Sequence, residues 1–427
     1  MTKRVLIVSP HFPPVNAPDM QRVRVSLPGF VAAGWEVTVL TVADPTPGAP
    51  EEAELLATIP AAVHVERVTC FSRRWTRWLG VGNVALRALP FLFLGGCRLL
   101  TTRRYDAIYF STTMFSVLPF GRLWRQLSGV PYVIDLQDPW VSDYYDRPGA
   151  PPPPGGWKYK VNRLIASALE GWTLQGAAHI ITVSPDYPAA LRQRHPLLAG
   201  QHFTELPFGA PDRDFEYLRQ TLAQRPAILP DGPCRVAFAG AVGPGMLACV
   251  EAVLAAAAGL RRAGLELTVH FFGTTYSGRS DGPGVTAHLA RQLGLGDGVR
   301  ETPGRLHYFE ALQVTLEADV NLLLGSSDLG FTPSKVLPLL AAGRPILAVA
   351  HEGSALAARL AALGLPCQLL AGLAPTAAEI AAVAAELRRL LAGGGPAQPP
   401  PVPPALRASA LADRQLEILA AAGLTRS

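Results

Sequence analysis

At 427 residues the chain is long enough for two or three domains with full hydrophobic cores. Hydrophobic residues supply 49% and charged residues 17%, and 38 Lys and Arg against 33 Asp and Glu leave a formal net charge of +5. That excess argues against a dedicated nucleic-acid binder and leaves room for a local basic patch. The five cysteines, Cys70, Cys97, Cys234, Cys249 and Cys367, form no CxxC pair and no metal-ligand spacing, so a reducing cytoplasm is the simplest setting and no metal is expected.

Val5-Leu6-Ile7-Val8 is too short for the apolar core of a signal peptide and reads as a first strand, 4–8. A proline-rich loop, 13–18, and a helix, 21–33, stopped by Gly34, come next. Strands follow at 36–42, 63–68, 107–110, 132–136 and 180–183, with a helix near 117–127 and a Pro/Gly loop over 146–157. A boundary falls at 207–233, which includes a polar helix at 214–224. A second series has strands at 236–239, 267–272, 320–324 and 346–349. Strands alternating with helices predict an α/β chain of two Rossmann-like, doubly wound domains facing a cleft. The expected segments are 1–208, a linker 209–233, 234–392, and a Pro/Gly-rich linker with a last helix over 393–427. Ligands of open α/β sheets bind at the carboxyl ends of the strands, here the loops after Val8, Leu136, Ala239, Phe272 and Leu324.

Several residues stand out in those loops. Gly240 and Gly243 would let a backbone approach a phosphate, although the same loop serves as a plain strand–helix turn. The spacing is not that of a dinucleotide fingerprint. In Gly330-Phe331-Thr332-Pro333-Ser334-Lys335, Thr332 can cap a helix and Pro333 suits its first position. Free N–H groups, the Ser334 hydroxyl and the Lys335 ammonium would then form an anion site, the alternative being a solvated lysine on an ordinary αβ unit. Asp138, just past a strand end, suits orienting a hydroxyl or acting as a base, and equally suits starting a turn before Pro139. Trp140, Tyr144 and Tyr145 offer flat faces for a sugar or lipid acceptor, or fill the core. His11 either touches donor phosphate or acceptor or is structural, and Arg22 either faces an anion or makes a surface salt bridge. Asn16 lies in the same early loop. Between 71 and 104, Arg73, Arg74, Trp75, Arg77 and Trp78 precede a ten-residue apolar run, 88–97, too short to span a bilayer. They fit either contact with an anionic membrane surface or a helix packed on the sheet.

The segment "PSK…AAGRPILAV" resembles the donor site of GT-B glycosyltransferases, in the large retaining family of bacterial hexosyltransferases (glycosyltransferase family 4-like). The opening "RVLIVSPHFPPVNAPDMQRVRVSLPGFVAAGWEVTVLTV" is similar to that family's first strand, Pro-rich loop, helix and second strand. "PYVIDLQDPW", "AAHIITVSPDYPAAL" and "RVAFAGAVGPG" resemble further segments in the family's order, and together they cover most of residues 4–350. The resemblance implies an acceptor-side domain followed by a donor-binding domain, and a C-terminal helix that crosses back onto the first. It implies transfer of a hexose, with retention, from a nucleotide-diphosphate sugar to a glycan or lipid-linked cell-surface precursor. The leaving diphosphate would itself take the acceptor proton, with no metal or organic cofactor, in the cytoplasm or on the inner face of the plasma membrane. It places Asp138 and His11 at the reaction, Gly240, Gly243, Thr332, Ser334, Lys335 and Asp328 on the donor, and Asn16, Arg22, Trp140 and Tyr144 beside the acceptor.

Two departures qualify it. No basic residue lies between Gly240 and Leu260, so Lys335 carries more of the neutralisation, with Arg279 or Arg22 as helpers. The family's Glu-x7-Glu would fall at Gly330 and Pro338, and a proline cannot hold a ribose hydroxyl, which leaves Asp328 or Glu352 nearby. A GT-B-fold sugar-nucleotide epimerase and a non-catalytic sugar-nucleotide-binding partner of another transferase remain alternatives.

Overall fold

The computed structural model describes residues 2–43, 51–76, 78, 82–141, 157–275, 284–393 and 398–424. Tyr144, Tyr145, Arg77 and Arg279 lie outside them. The chain divides into two compact units, Met1–Gly209 with Ala408–Ser427, and Ala210–Arg407.

The first unit is built on a seven-stranded parallel sheet. Its strands are β1 (Arg4–Val8), β2 (Glu36–Val42), β3 (His64–Val68), β4 (Ala107–Ser111), β5 (Tyr132–Leu136), β6 (His179–Thr182) and β7 (Phe203–Glu205), in the order β3-β2-β1-β4-β5-β6-β7. The second holds a six-stranded parallel sheet of β8 (Arg235–Ala239), β9 (Thr268–Phe272), β10 (Val299–Thr302), β11 (Val320–Leu324), β12 (Ile346–His351) and β13 (Gln368–Leu370), ordered β10-β9-β8-β11-β12-β13. The inner strands are continuous apolar runs because helices cover both faces of a parallel sheet. Each buried Leu, Ile or Val contributes about 1.5–3 kcal/mol. The strands absent from the sequence reading, β7, β10 and β13, are edge strands. Edges are short and partly solvated, so they lack that signature.

In the first unit, one face of the sheet is covered by the helices Gln21–Ala32 and Ala408–Leu424, whose side chains share one core with β1 and β4. A Cβ on Gly29 would lie 2.9 Å from Ala412 Cβ, so the two helices meet closely there, and a larger residue at 29 would push them apart. The other face carries the helices Val84–Thr102, Pro119–Ser128 and Trp157–Gln175. Asn83 starts the first of these by accepting the N–H groups of Ala85 and Leu86. That helix has 19 residues rather than the ten apolar ones the sequence marked, and by length and composition it is long and apolar enough to cross a membrane. It packs one face on β2 and β3.

The stretch 209–233, read as a linker, contains the helix Asp212–Thr221, and its Leu229 is fully buried in the second unit's core.

Candidate donor and acceptor loops

In the second unit the loops after β8 and β11 meet. Lys335 reaches back from the β11 loop, and its Nζ donates to the carbonyl of Ala239 at 2.8 Å. The ammonium also sits 3.9 Å from the ring centre of Phe238. Gly240 makes room for it: its φ is +147°, and a Cβ there would lie 2.1 Å from Lys335 Nζ. Lys335 is only part-buried as a residue, but its ammonium points inward, and burial lowers its pKa from 10.5 to about 8. No carboxylate pairs with it among the described residues. A buried cation with spare donor capacity, beside a backbone stripped of side chain, is chemically fitted to an anion.

The helix beyond it differs from expectation. It spans Val336–Ala342, and its first i→i−4 bond runs from Leu339 N–H to Lys335 C=O. Thr332 and Pro333 therefore precede the helix, and Thr332 is not its cap. Thr332 and Ser334 are exposed, as is Asp328, whose carboxylate accepts the N–H of Gly330. Gly243 has open space where a side chain would be. Ser326 and Ser327 were not marked in the sequence. Ser327 N–H donates to the carbonyl of Gly245, and a Cβ on Gly245 would lie 2.5 Å from Ser326 Oγ. Pro338 is part-buried on the helix, and Glu352 is exposed just past β12.

In the first unit the loops after β1, β4 and β5 converge where the strand order reverses between β1 and β4, the place such sheets use for ligands. His11 Nδ1 lies 2.8 Å from Asp19 Oδ1, and Thr112 donates to Asp19 Oδ2 at 2.7 Å. Gln137 donates to the Asp19 carbonyl and to Ser111 Oγ. Asp135 Oδ2 accepts the hydroxyls of Tyr109 and Ser111, each at 2.7 Å, and stands 2.7 Å from Arg22 Nε. Arg22 also donates to the carbonyls of Leu206 and Pro207 and lies over the Phe208 ring. Burial, reinforced by the charge of Asp135, drives the Tyr109 pKa well above its ordinary value. All these side chains except Phe208 are buried. Arg22, expected to face an anion or form a surface salt bridge, is thus internal, because Asp135 at the end of a central strand needs a counter-charge. Asn16, expected beside the acceptor, is buried too, donating to Glu52 at 2.7 Å and accepting from Gln21.

Asp138 lies beyond this network. It is exposed, yet desolvation, with the charge of Asp19 behind it, raises its pKa above the ordinary carboxylate value. Trp140 stacks on Phe115 at 5.7 Å and 9°. A cavity of about 150 Å³ opens beside it, past the ends of β5 and β6, lined by Leu136, Trp140, Glu170, Asp186, Tyr187 and Arg194 among others. Glu170 in its wall is buried and held by Arg194 and His195, both at 2.9 Å. Glu170 is the only acidic residue in 157–175, which is the signal by which the sequence marks it. Burial raises the pKa of Tyr187 in the same wall, and the charge of Asp138 adds to it. No cluster of three or more His, Cys, Asp or Glu able to hold a metal occurs among the described residues.

Residues 21–200 match the family described as glycosyl transferase 4-like domain. That stretch is similar to the family. It takes in β2–β6, including Asp138 and the cavity beside Trp140. The chain as a whole has the GT-B fold. Sucrose-phosphate synthase of Thermosynechococcus elongatus is similar over 99% of this chain and 96% of its own, with a TM-score of 0.54 and 18% identity. The Anabaena protein HepE, solved with UDP, is similar over 99% of this chain and 100% of its own, with a TM-score of 0.55 and 15% identity. A Rickettsia africae glycosyltransferase matches over 100% of both chains at 10% identity and a TM-score of 0.55. No curated protein sequence matches the chain.

Proposed function

We propose that the chain moves a hexose from a nucleotide-diphosphate sugar to a hydroxyl of a glycan or lipid-linked precursor, in the cytoplasm and with retention at the anomeric carbon. The observation that carries this reading is the Lys335 ammonium, buried against Gly240 without a counter-charge among the described residues. Anabaena HepE has been solved with UDP and with UDP-glucose, which favours UDP as the nucleotide here.

In this reading Lys335 neutralises the diphosphate, and Gly240 and Gly243 let it approach the backbone. Ser334 and Thr332 stand exposed beside it as hydroxyl donors. Asp328 and Glu352 are the carboxylates available to the ribose in place of the position held by Pro338. The bond between the anomeric carbon and the diphosphate oxygen breaks, the acceptor oxygen bonds to that carbon on the same face, and its proton passes to the departing diphosphate. Asp138 orients the acceptor hydroxyl, with Trp140 as a flat neighbour. His11, fixed by Asp19, keeps the loop between them in place. No metal or organic cofactor has a part in these steps.

The experiment is release of UDP from UDP-hexoses with and without candidate acceptors, with the product's anomeric configuration read by NMR. Acceptor-dependent release with retention is expected. Tight donor binding without turnover on any acceptor contradicts transfer and favours a non-catalytic partner, and acceptor-independent conversion of the sugar favours an epimerase.

A further inference from the structure

Among the described residues, nineteen large apolar side chains stand exposed, and eleven of them lie between Phe71 and Trp172 on one layer of the first unit. That layer consists of the helices Val84–Thr102, Pro119–Ser128 and Trp157–Gln175, neighbours in that order, and the segment leading into the first. Trp75 and Trp78 are 78% and 83% exposed. Phe71 packs edge-on against Phe91 at 5.0 Å, which fastens this segment to the helix that follows. Leu127 and Leu164, on the second and third helices, are 70% and 72% exposed. In the third helix Leu164, Ile165, Ala168, Leu169 and Trp172 are all exposed, and their spacing of i, i+1, i+4, i+5 and i+8 is one helical face. Its opposite side holds the buried Glu170, Thr173 and Leu174. The helix thus turns an apolar face outward, which packing on the sheet does not require.

The charge of the first two helices and of the segment before them is one-sided. Residues 71–134 contain nine arginines, no lysine and one acidic residue, Asp106. Asp106 accepts the backbone N–H of Arg4. Arg73, Arg74, Arg103 and Arg104 are exposed, and Arg122 lies 4.8 Å from the Trp172 ring, a guanidinium set directly beside exposed apolar surface.

We infer that this three-helix layer, with Trp75 and Trp78 at its margin, is a docking surface for an anionic lipid bilayer. Tryptophan and leucine enter the interfacial region while arginines meet the headgroup charge. The surface lies flat on the membrane, and the helix Val84–Thr102 does not cross it, since its inner face is committed to β2 and β3. A protein partner would need matching acidic and apolar surface, whereas an anionic bilayer supplies both over any area.

The test uses the full chain and phosphatidylcholine vesicles with and without phosphatidylglycerol, read by co-sedimentation without donor or acceptor, so that it is independent of transfer activity. Wild-type protein should bind the anionic vesicles, fail to bind the neutral ones, and be released by salt. Arg73→Gln with Arg74→Gln should lower the partition about 30-fold, each basic side chain near such a surface contributing about 1 kcal/mol. Trp75→Ser with Trp78→Ser, and separately Leu127→Ser with Leu164→Ser, should each abolish binding, and since all four side chains are exposed, thermal unfolding should be unchanged. Failure of the wild type to bind anionic vesicles at low salt overturns the inference. So does wild-type binding by the Leu127/Leu164 variant, or a dimer in sedimentation velocity that this variant dissolves without any vesicle binding.

Discussion

The carboxyl-end loops of the two sheets handle charge in opposite ways. In the seven-stranded sheet the buried ionisable groups are paired with each other, His11 with Asp19 and Arg22 with Asp135. In the six-stranded sheet the Lys335 ammonium has a carbonyl and an aromatic ring and, among the described residues, no carboxylate. A buried pair fixes the geometry of the loops that carry it, at a desolvation cost roughly balanced by its mutual attraction. A buried cation without a partner costs stability and is relieved by an anionic ligand. The contrast assigns the first network to shaping the loops that present Asp138, and the second site to binding.

The largest expected effect tests the first half of that contrast. Arg22→Met leaves Asp135 buried with an uncompensated charge and should remove about 3–5 kcal/mol of unfolding free energy in a denaturant titration. UDP affinity of the folded protein should stay at its wild-type value. Unchanged stability with lost affinity would instead put Arg22 at the ligand. Asp138→Asn should slow transfer about 100-fold while UDP binding is retained. A parallel loss of both would assign Asp138 to the donor or to folding.

Gly240→Ala sharpens the second half. The new Cβ would collide with Lys335 Nζ at a φ that L residues avoid, so UDP affinity should fall about tenfold through displacement of the ammonium, in line with strain of about 1–3 kcal/mol. Unchanged affinity by calorimetry would mean that the lysine works from another position. The smallest effect is that of pH. Burial holds Lys335 at about 8 against 10.5 when solvated. Between those values the unfolded chain binds the extra proton, so the ligand-free protein should gain stability as pH rises through that window. UDP affinity should move the other way, falling severalfold from pH 7 to pH 9 as the ammonium is lost. Lys335→Met should flatten both trends, and a slope unaffected by that substitution would assign the titration to another group.

What the sequence revealed follows from the range of the interactions. Inner strands such as Val320–Leu324 are legible because burial on both faces demands an unbroken apolar run. The edge strands Val299–Thr302 and Gln368–Leu370 carry no such demand and leave no comparable mark in the sequence. Thr332 and Pro333 have the residue types of a helix start, but the chain enters the helix only at Val336, since a type preference does not specify backbone angles. Lys335 and Gly240 were each legible as candidates, whereas their contact joins loops about a hundred residues apart. The Arg22–Asp135 pair is of the same kind, and the sequence alone offers that arginine only an anion or a surface salt bridge. Glu170 was detectable only as a lone acid in its helix.

The most direct test of the donor site is a calorimetric titration of UDP into the wild-type protein and Lys335→Ala at pH 7. The account predicts measurable binding by the wild type and a loss of roughly 1.5–3 kcal/mol on removing the charge-assisted contact, with thermal unfolding retained. Equal affinities of the two proteins would place the phosphates elsewhere and contradict it.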